Sequence, residues 1–506
     1  MQVKALWLGA LLAVAPSAMR GGSTAAATTP TPVPPSRPAP QALLLNGQPF
    51  PQVKAFPVKL PRPVRTLYVA GVAEDGDGSE KRPWNDLQKA LCALSPGDRL
   101  RIQPGIYKGA FAVDGDCRDG TRRAPIQVLF DGQARLVPDS DRAVLSVRKA
   151  HWMLVGVFVS LGNSPATGVS IEGRGAYHVT IDRARVSGGA GPGLRIGEGV
   201  AAIRVANARI AKTRLAQASP SAFGIEIAAG ARDVVIANSH LRDNPGGSIR
   251  IQGPADGAKP ASDVRIVGNS IHGDEASAIE AVAAERIHVV GNTISQTPGV
   301  PKTRGIVLGR VRFGFVQSNH VSDCEVAVQV GSAPPDGEPF AADAEDVLVD
   351  HNDFENALAA GTGIRVEAGN RIRILNNVVD GTAEGIQVLG SVPRTRAVSV
   401  ANNLVLGVSR VAFSIQDRKA TDLFDYNVFS PAPGSGAASV RLGDRESALA
   451  EVLKRGDMPR TRLVPGVQLL NRDLARVRGA VVVDRGKSVG ELPHRGAAPD
   501  IGVEER

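Results

Sequence analysis

Aromatic side chains are scarce in this chain: Trp, Tyr and Phe make up 4% of 506 residues. Aromatics supply much of the bulk in a globular core, so any core here must be filled by Val, Ile, Leu and Ala. Cysteine is scarcer still. Its three residues show no Cys-x-x-Cys spacing and no Cys/His cluster, which leaves no support for a structural zinc site. Beyond the first apolar run, no stretch is long enough to cross a membrane as a helix. The formal charge is +9, yet the 59 basic residues are scattered among 50 acidic ones without a Lys/Arg block. That argues against a nucleic-acid partner and leaves a mildly basic surface compatible with an acidic polymer. A P-loop, a Gly-x-Ser-x-Gly elbow and Gly-Gly-x-Gly-x-Asp calcium repeats are absent.

What is abundant is glycine, 56 residues, and one repeated phrase. The phrase reads apolar-x-apolar-x-x-Asn-x-apolar, then a turn, then Gly-apolar-x-apolar. Clear copies are Val264-Arg265-Ile266-Val267-Gly268-Asn269-Ser270-Ile271 and Ile372-Arg373-Ile374-Leu375-Asn376-Asn377-Val378-Val379. Aligned on the Asn position, the copies fall at Ala184, Ala208, Ser239, Asn269, Asn292, Asn319, Asn352, Asn377, Asn403 and Asn427. Repeats of this length specify a solenoid. The strands are short, Val/Ile-rich and bounded by Gly/Asn/Asp turns, with no helical segment between them. Parallel strands from successive coils must then stack at about 4.8 Å. The Asn residues form one column whose amides can bond from coil to coil, so they are scaffolding.

The rest of the chain divides around this array. Lys4 followed by the apolar Ala5–Ala15, with Ser17, Ala18, Gly21 and Gly22 behind, reads as a signal peptide over residues 1–21. The mature protein is therefore expected to be secreted or periplasmic, with no transmembrane segment once the signal is removed. Residues 22–42 form an Ala/Thr/Pro-rich linker. Residues 43–125 are expected to hold an N-terminal cap and the first strands, with a short amphipathic helix over 83–94 covering the open end of the core. In an oxidising compartment Cys92 and Cys117 could pair, whereas Cys324 reads as a buried small residue. The coils occupy 126–431. Residues 432–506 are expected to form a C-terminal cap, with a helix over 444–455 capped by Asp444 and a strand at Val481–Val483. Nothing in the sequence specifies an oligomeric state.

The coil phrases, with Pro83-Trp84, Pro96-Gly97-Asp98, Pro104-Gly105-Ile106-Tyr107 and the Asp500–Glu504 ending, resemble the right-handed parallel β-helix proteins of the pectate-lyase-like superfamily. The resemblance implies an all-β right-handed parallel β-helix solenoid that handles a polysaccharide, an acidic one in the lyases and epimerases. It does not select a reaction, because the superfamily contains lyases, hydrolases, epimerases and non-catalytic proteins.

Counting along the Gly-apolar-x-apolar strand stacks Arg195, Glu226, Arg250 and Glu280 into one outward column of alternating charge. One reading is a cross-strand ion ladder. The other is a groove floor for a sugar acid. Elimination at a uronate needs a base for the C5 proton and a cation for the carboxylate. On that reading Arg250, His272 and Glu280 are the catalytic candidates, and Arg195, Glu226, Asp243, Asn244, Asp274 and Glu275 would contact substrate. Glu226, Asp274 and Glu280 could hold Ca²⁺; no other cofactor is indicated. An alternative cluster comprises His320, Asp350, His351 and Asp353. Within it Val349-Asp350-His351-Asn352 is similar to the Trp-Ile-Asp-His phrase of pectate lyases. The lyases' Arg-x-Pro-x-x-Arg phrase lacks its first Arg here, and the polygalacturonase phrases are missing, which ranks hydrolysis below elimination. The exported form should begin within residues 18–23; N-terminal sequencing that finds Met1 retained would contradict the signal assignment.

Overall fold

A computed structural model describes residues 44–45, 48–49 and 58–464, apart from 73, 212–222, 255–257, 297–302, 332–342, 356–360 and 433–438. The expected signal, the linker, Val481–Val483 and the Asp500–Glu504 ending lie outside the described residues.

Each coil folds into three strands, and equivalent strands of successive coils pair in parallel to build three faces. The first face contains strands such as Ala261–Val267, the second Ile249–Ile251, and the third Ser270–His272. The third face is a separate 14-stranded sheet. Two long strands, Ser277–Val290 and Arg304–Gln317, run through both the second and first faces and join them into one sheet. Stacking begins early: Thr66–Val69 pairs with Arg99–Ile102, which pairs with Ile126–Phe130.

Alternation explains the core. In one coil Val264, Ile266, Ile271, Ile279 and Ala281 point inward and are fully buried. The inward residues are mostly Val, Ile, Leu and Ala, as a coil this narrow requires, and Trp152 is the largest side chain enclosed.

Two devices turn the chain between faces. Before each ladder position sits one residue with left-handed backbone: Asn238, Gly268, Gly291, Ser318, His351, Asn376 and Asn402 have φ between 49° and 63°. Gly and Asn adopt this conformation at least cost, which accounts for the Gly-Asn and Asn-Asn pairs. The following Asn is buried and closes the bend. Asn319 donates its main-chain N–H and its Nδ2 to Asn352 Oδ1 at 3.0 and 2.9 Å, and its Nδ2 also reaches Val289 O at 2.9 Å. The same set recurs from Asn269 to Asn403.

The ends differ in detail from expectation. Helix α1 spans Leu87–Cys92, shorter than 83–94, because Asp86 caps it by accepting from Lys89 N, while Trp84 bridges Val69 as strand. Cys92 and Cys117 are joined as a disulfide, and Cys324 is free and buried. Helix α2 spans Leu449–Lys454. Asp444 is not its N-cap: Gly443 and Asp444 form a two-residue hairpin turn pairing Ser439–Leu442 with Arg445–Ala448. A Gly-Asp pair between two short strands is itself a hairpin signal.

Replacing Asn352 by Ala leaves Asn319 N–H and Val316 O, both buried, without partners. Urea unfolding should show a loss of about 2–4 kcal/mol; a variant as stable as the parent would mean the ladder is dispensable.

Candidate functional site

The second face carries the charged column. Arg195 pairs in register with Glu226, Glu226 with Arg250, and Arg250 with Glu280, one coil apart each time. Two residues before each column position, and before Ser170 one coil earlier, stands Gly, Ser or Ala: Gly168, Gly193, Gly224, Ser248 and Ala278. Close contact with the next coil explains this. A Cβ on Gly305, the next in line, would lie 2.4 Å from Ala327 O. The column therefore rises beside a track of small residues.

Its contacts are loose. Arg195 Nε lies 3.5 Å from Glu226 Oε2, and Arg250 Nε lies 3.7 Å from Glu280 Oε2, both too long for hydrogen bonds. Arg250 Nε is buried and has no hydrogen-bond partner. The Arg250 guanidinium lies over the Phe223 ring, 4.9 Å from its centroid. Glu226 is mostly buried and accepts a hydrogen bond from Gln252. On the first face two pairs close fully: Arg286 grips Asp263 through two bonds of 2.7 and 2.9 Å, and Arg371 grips Asp346 through two of 2.6 Å.

Three contributors to this surface escape sequence reasoning: Phe223, Gln252 and Glu172. Ser170, in column register one coil before Arg195, donates to Glu172 Oε1 at 2.5 Å. That hydroxyl, with Arg148 helping, holds the Glu172 carboxyl below the usual carboxylate range. All three flank the column by two or three positions, and they become visible once the strand register is drawn.

The other expected residues do not all gather here. His272 is the third residue of a third-face strand, so it belongs to a different face from Arg250 and Glu280. Its ring meets the Ser270 hydroxyl at 2.5 Å, and burial, with His240 nearby, lowers its pKa. Asn244 and Asp274 are fully buried and bond to each other inside the bend between the third and second faces, so they cannot touch a polymer. Asp243 and Glu275 lie on the outside of that bend. In the alternative cluster His320 Nδ1 meets Asp353 Oδ2 at 2.7 Å on the third face, as the register requires. Asp350 and His351 lie across the bend from them. Asp350 is completely buried, accepting from Asn376 Nδ2 at 2.9 Å and lying 2.8 Å from His351 Nδ1.

The residues suggested for Ca²⁺ do not converge. Asp274 is enclosed in a bend, and Arg250 separates Glu226 from Glu280. Among the described residues no group of three or more His, Cys, Asp or Glu side chains is arranged to hold a metal ion. No helix among them is long and apolar enough to cross a membrane.

A family model for the right handed beta helix region matches residues 159–310 and 259–429, together more than half of the chain. The chain belongs to this family. Its coils are therefore right-handed. Three solved structures are similar in fold. An alginate lyase from Paenibacillus sp. str. FPU-7 is 17% identical over 64% of this chain and 98% of its own, with a TM-score of 0.46. PfbA, a surface adhesin of Streptococcus pneumoniae, is 12% identical over 71% of this chain and 87% of its own, with a TM-score of 0.49. The tailspike protein of E. coli bacteriophage HK620 is 12% identical over 71% of this chain and 74% of its own, with a TM-score of 0.48. No curated protein matches the sequence.

Burial pushes the Asp274 carboxyl up to about 7, against hydrogen bonds from Ser248 and Asn244 that pull the other way. The unfolded chain releases this proton near pH 4, so stability falls as pH rises between about 4 and 7 and levels off above. Urea midpoints of Asp274→Asn should decline less across that window than those of the parent; equal slopes would place the titration elsewhere.

Proposed function

We propose that this is an exported β-helix protein that binds an acidic polysaccharide along its second face. Arg195 and Arg250 would face the carboxylates of the polymer. The observation that carries this reading is Arg250: its side chain is 35% exposed on this face, and its nearest carboxylate stands 3.7 Å away, too far for a hydrogen bond. The sheet elsewhere closes such pairs, as at Arg286–Asp263. A ligand carboxylate on this column would complete the set.

A second reading adds chemistry to binding, as cleavage by β-elimination or as C5 epimerisation. Its support is the register itself, which sets Glu226 and Glu280 one coil to either side of Arg250. In elimination the C5–H and C4–O bonds break, the C4–C5 double bond forms, and the leaving oxygen takes up a proton. Arg250 would neutralise the sugar carboxylate while a flanking glutamate takes the C5 proton.

A panel of uronate polymers, with and without Ca²⁺, separates these readings. Binding should appear on an acidic polymer and weaken roughly 10–100-fold in Arg250→Ala. Absorbance from unsaturated ends, or inversion at C5, that vanishes in Glu226→Gln or Glu280→Gln would establish the catalytic reading. No binding to any acidic polymer in the panel would overturn the proposal.

A further inference from the structure

The outward positions of the third face separate by charge along the solenoid axis. Toward the N-terminal end, Arg185, Arg209 and His240 stand in one column, and Arg242 and His272 in the column beside it. All five are exposed. From Phe158–Gly162 to Ser270–His272, no outward position of this face holds a carboxylate. Arg185 and Arg209 are register partners, two like charges one strand spacing apart, an arrangement that costs stability. Arg185 lies over the Phe158 ring and donates to Gly132 O. Arg242 comes no closer than 3.9 Å to Asp243, at the bend.

We propose that this strip is a second docking surface, for a linear uronate polysaccharide lying along the solenoid axis. Arg185 and Arg209 carry their charges one coil apart, at about 4.8 Å, and Arg242 adds a third in the next column. A chain of linked uronates carries one carboxylate per sugar, so both partners present charge singly and in line. A bound polyanion would supply the negative charge that the face lacks.

Two other occupants fit less well. Single-stranded nucleic acid uses aromatic platforms for its bases; here the Phe158 ring is covered by Arg185, and the other rings are the small imidazoles of His240 and His272. A second copy of the chain could offer the far end of the same face, where Asp353, Glu355 and Asp380 stand. There Asp353 is already engaged by His320 and only 15% exposed. This inference does not rest on the second-face reading, because it uses different residues on a different sheet.

The test uses the mature full-length protein with polygalacturonate, dextran of matched length and single-stranded DNA, read by calorimetry at low and high salt. The protein should bind polygalacturonate but not dextran, and added salt should weaken binding. The triple variant Arg185→Gln/Arg209→Gln/Arg242→Gln should lose about tenfold or more in affinity. The corresponding triple Arg→Lys variant keeps the charge and should retain most of it, which separates charge from misfolding. Arg195→Gln/Arg250→Gln should leave a salt-sensitive component intact. Equal affinity in the triple Gln variant and the parent would overturn the proposal. So would tighter binding to DNA than to polygalacturonate, or a concentration-dependent dimer that only the triple Gln variant abolishes. If affinity is lost only in Arg195→Gln/Arg250→Gln, the second face alone binds, and the third-face assignment fails.

Discussion

Backbone groups at the bend between the first and third faces must find partners, and the buried asparagine row is how this chain meets that demand. A solenoid coil turns corners with main chain that is enclosed by the coils above and below, where water cannot satisfy it. Each Asn accepts a main-chain N–H and donates to a main-chain carbonyl of the coil before it, as Asn352 does with Asn319 N and Val316 O. The register of every strand pair follows, because a slip of one residue would take the Asn amide out of the ladder position and turn the core side chains outward. Coil length can then vary while the faces stay aligned: spacings of 23 and 33 residues both end on the same row.

Fixed register converts a one-dimensional sequence into two-dimensional surfaces. Residues at equivalent positions become neighbours whatever the loops between them do. The first face uses this to close arginine–carboxylate pairs, which stabilises at most modestly where exposed. The second face uses the same geometry differently. Its charges alternate, but their atoms stop short of hydrogen-bond contact, and Phe223 and Gln252 hold Arg250 and Glu226 from other directions. The third face gathers cations at one end and carboxylates at the other. One scaffold thus presents three charge patterns, and the closed arginine–carboxylate pairs of Arg286–Asp263 and Arg371–Asp346 belong to the first.

Much of this was legible because counting is enough for a repeat. Alignment on Asn placed Arg195, Glu226, Arg250 and Glu280 in their correct column, and it placed His320 beside Asp353. Counting failed where the chain leaves the strands. Asn244 and Asp274 look like surface residues of a polar turn, yet the left-handed residue before each, Asp243 and Gly273, swings the next side chain inward. That is the same device that buries the ladder Asn. His272 looked close to Glu280 in sequence, but the bend between them changes face. At the C-terminal end a helical pattern from Asp444 ignored the Gly-Asp pair, which favours a hairpin, so Arg445–Ala448 of the expected helix are strand.

The amide row also has a direction. Every Oδ1 accepts from the coil before it and every Nδ2 donates onward to the coil after it. At both ends a hydroxyl takes over. Ser239 Oγ accepts from Ala208 N and donates to Ala237 O, and Thr461 Oγ1 accepts from Asn427 N and donates to Asp425. A single amide turned over inside the row would set nitrogen against nitrogen on one side and oxygen against oxygen on the other. Orientation is therefore all-or-none along the line, and the aligned amides polarise one another in a single sense. The solenoid contains a built-in vector pointing along its axis, terminated by groups that can both give and receive a proton bond.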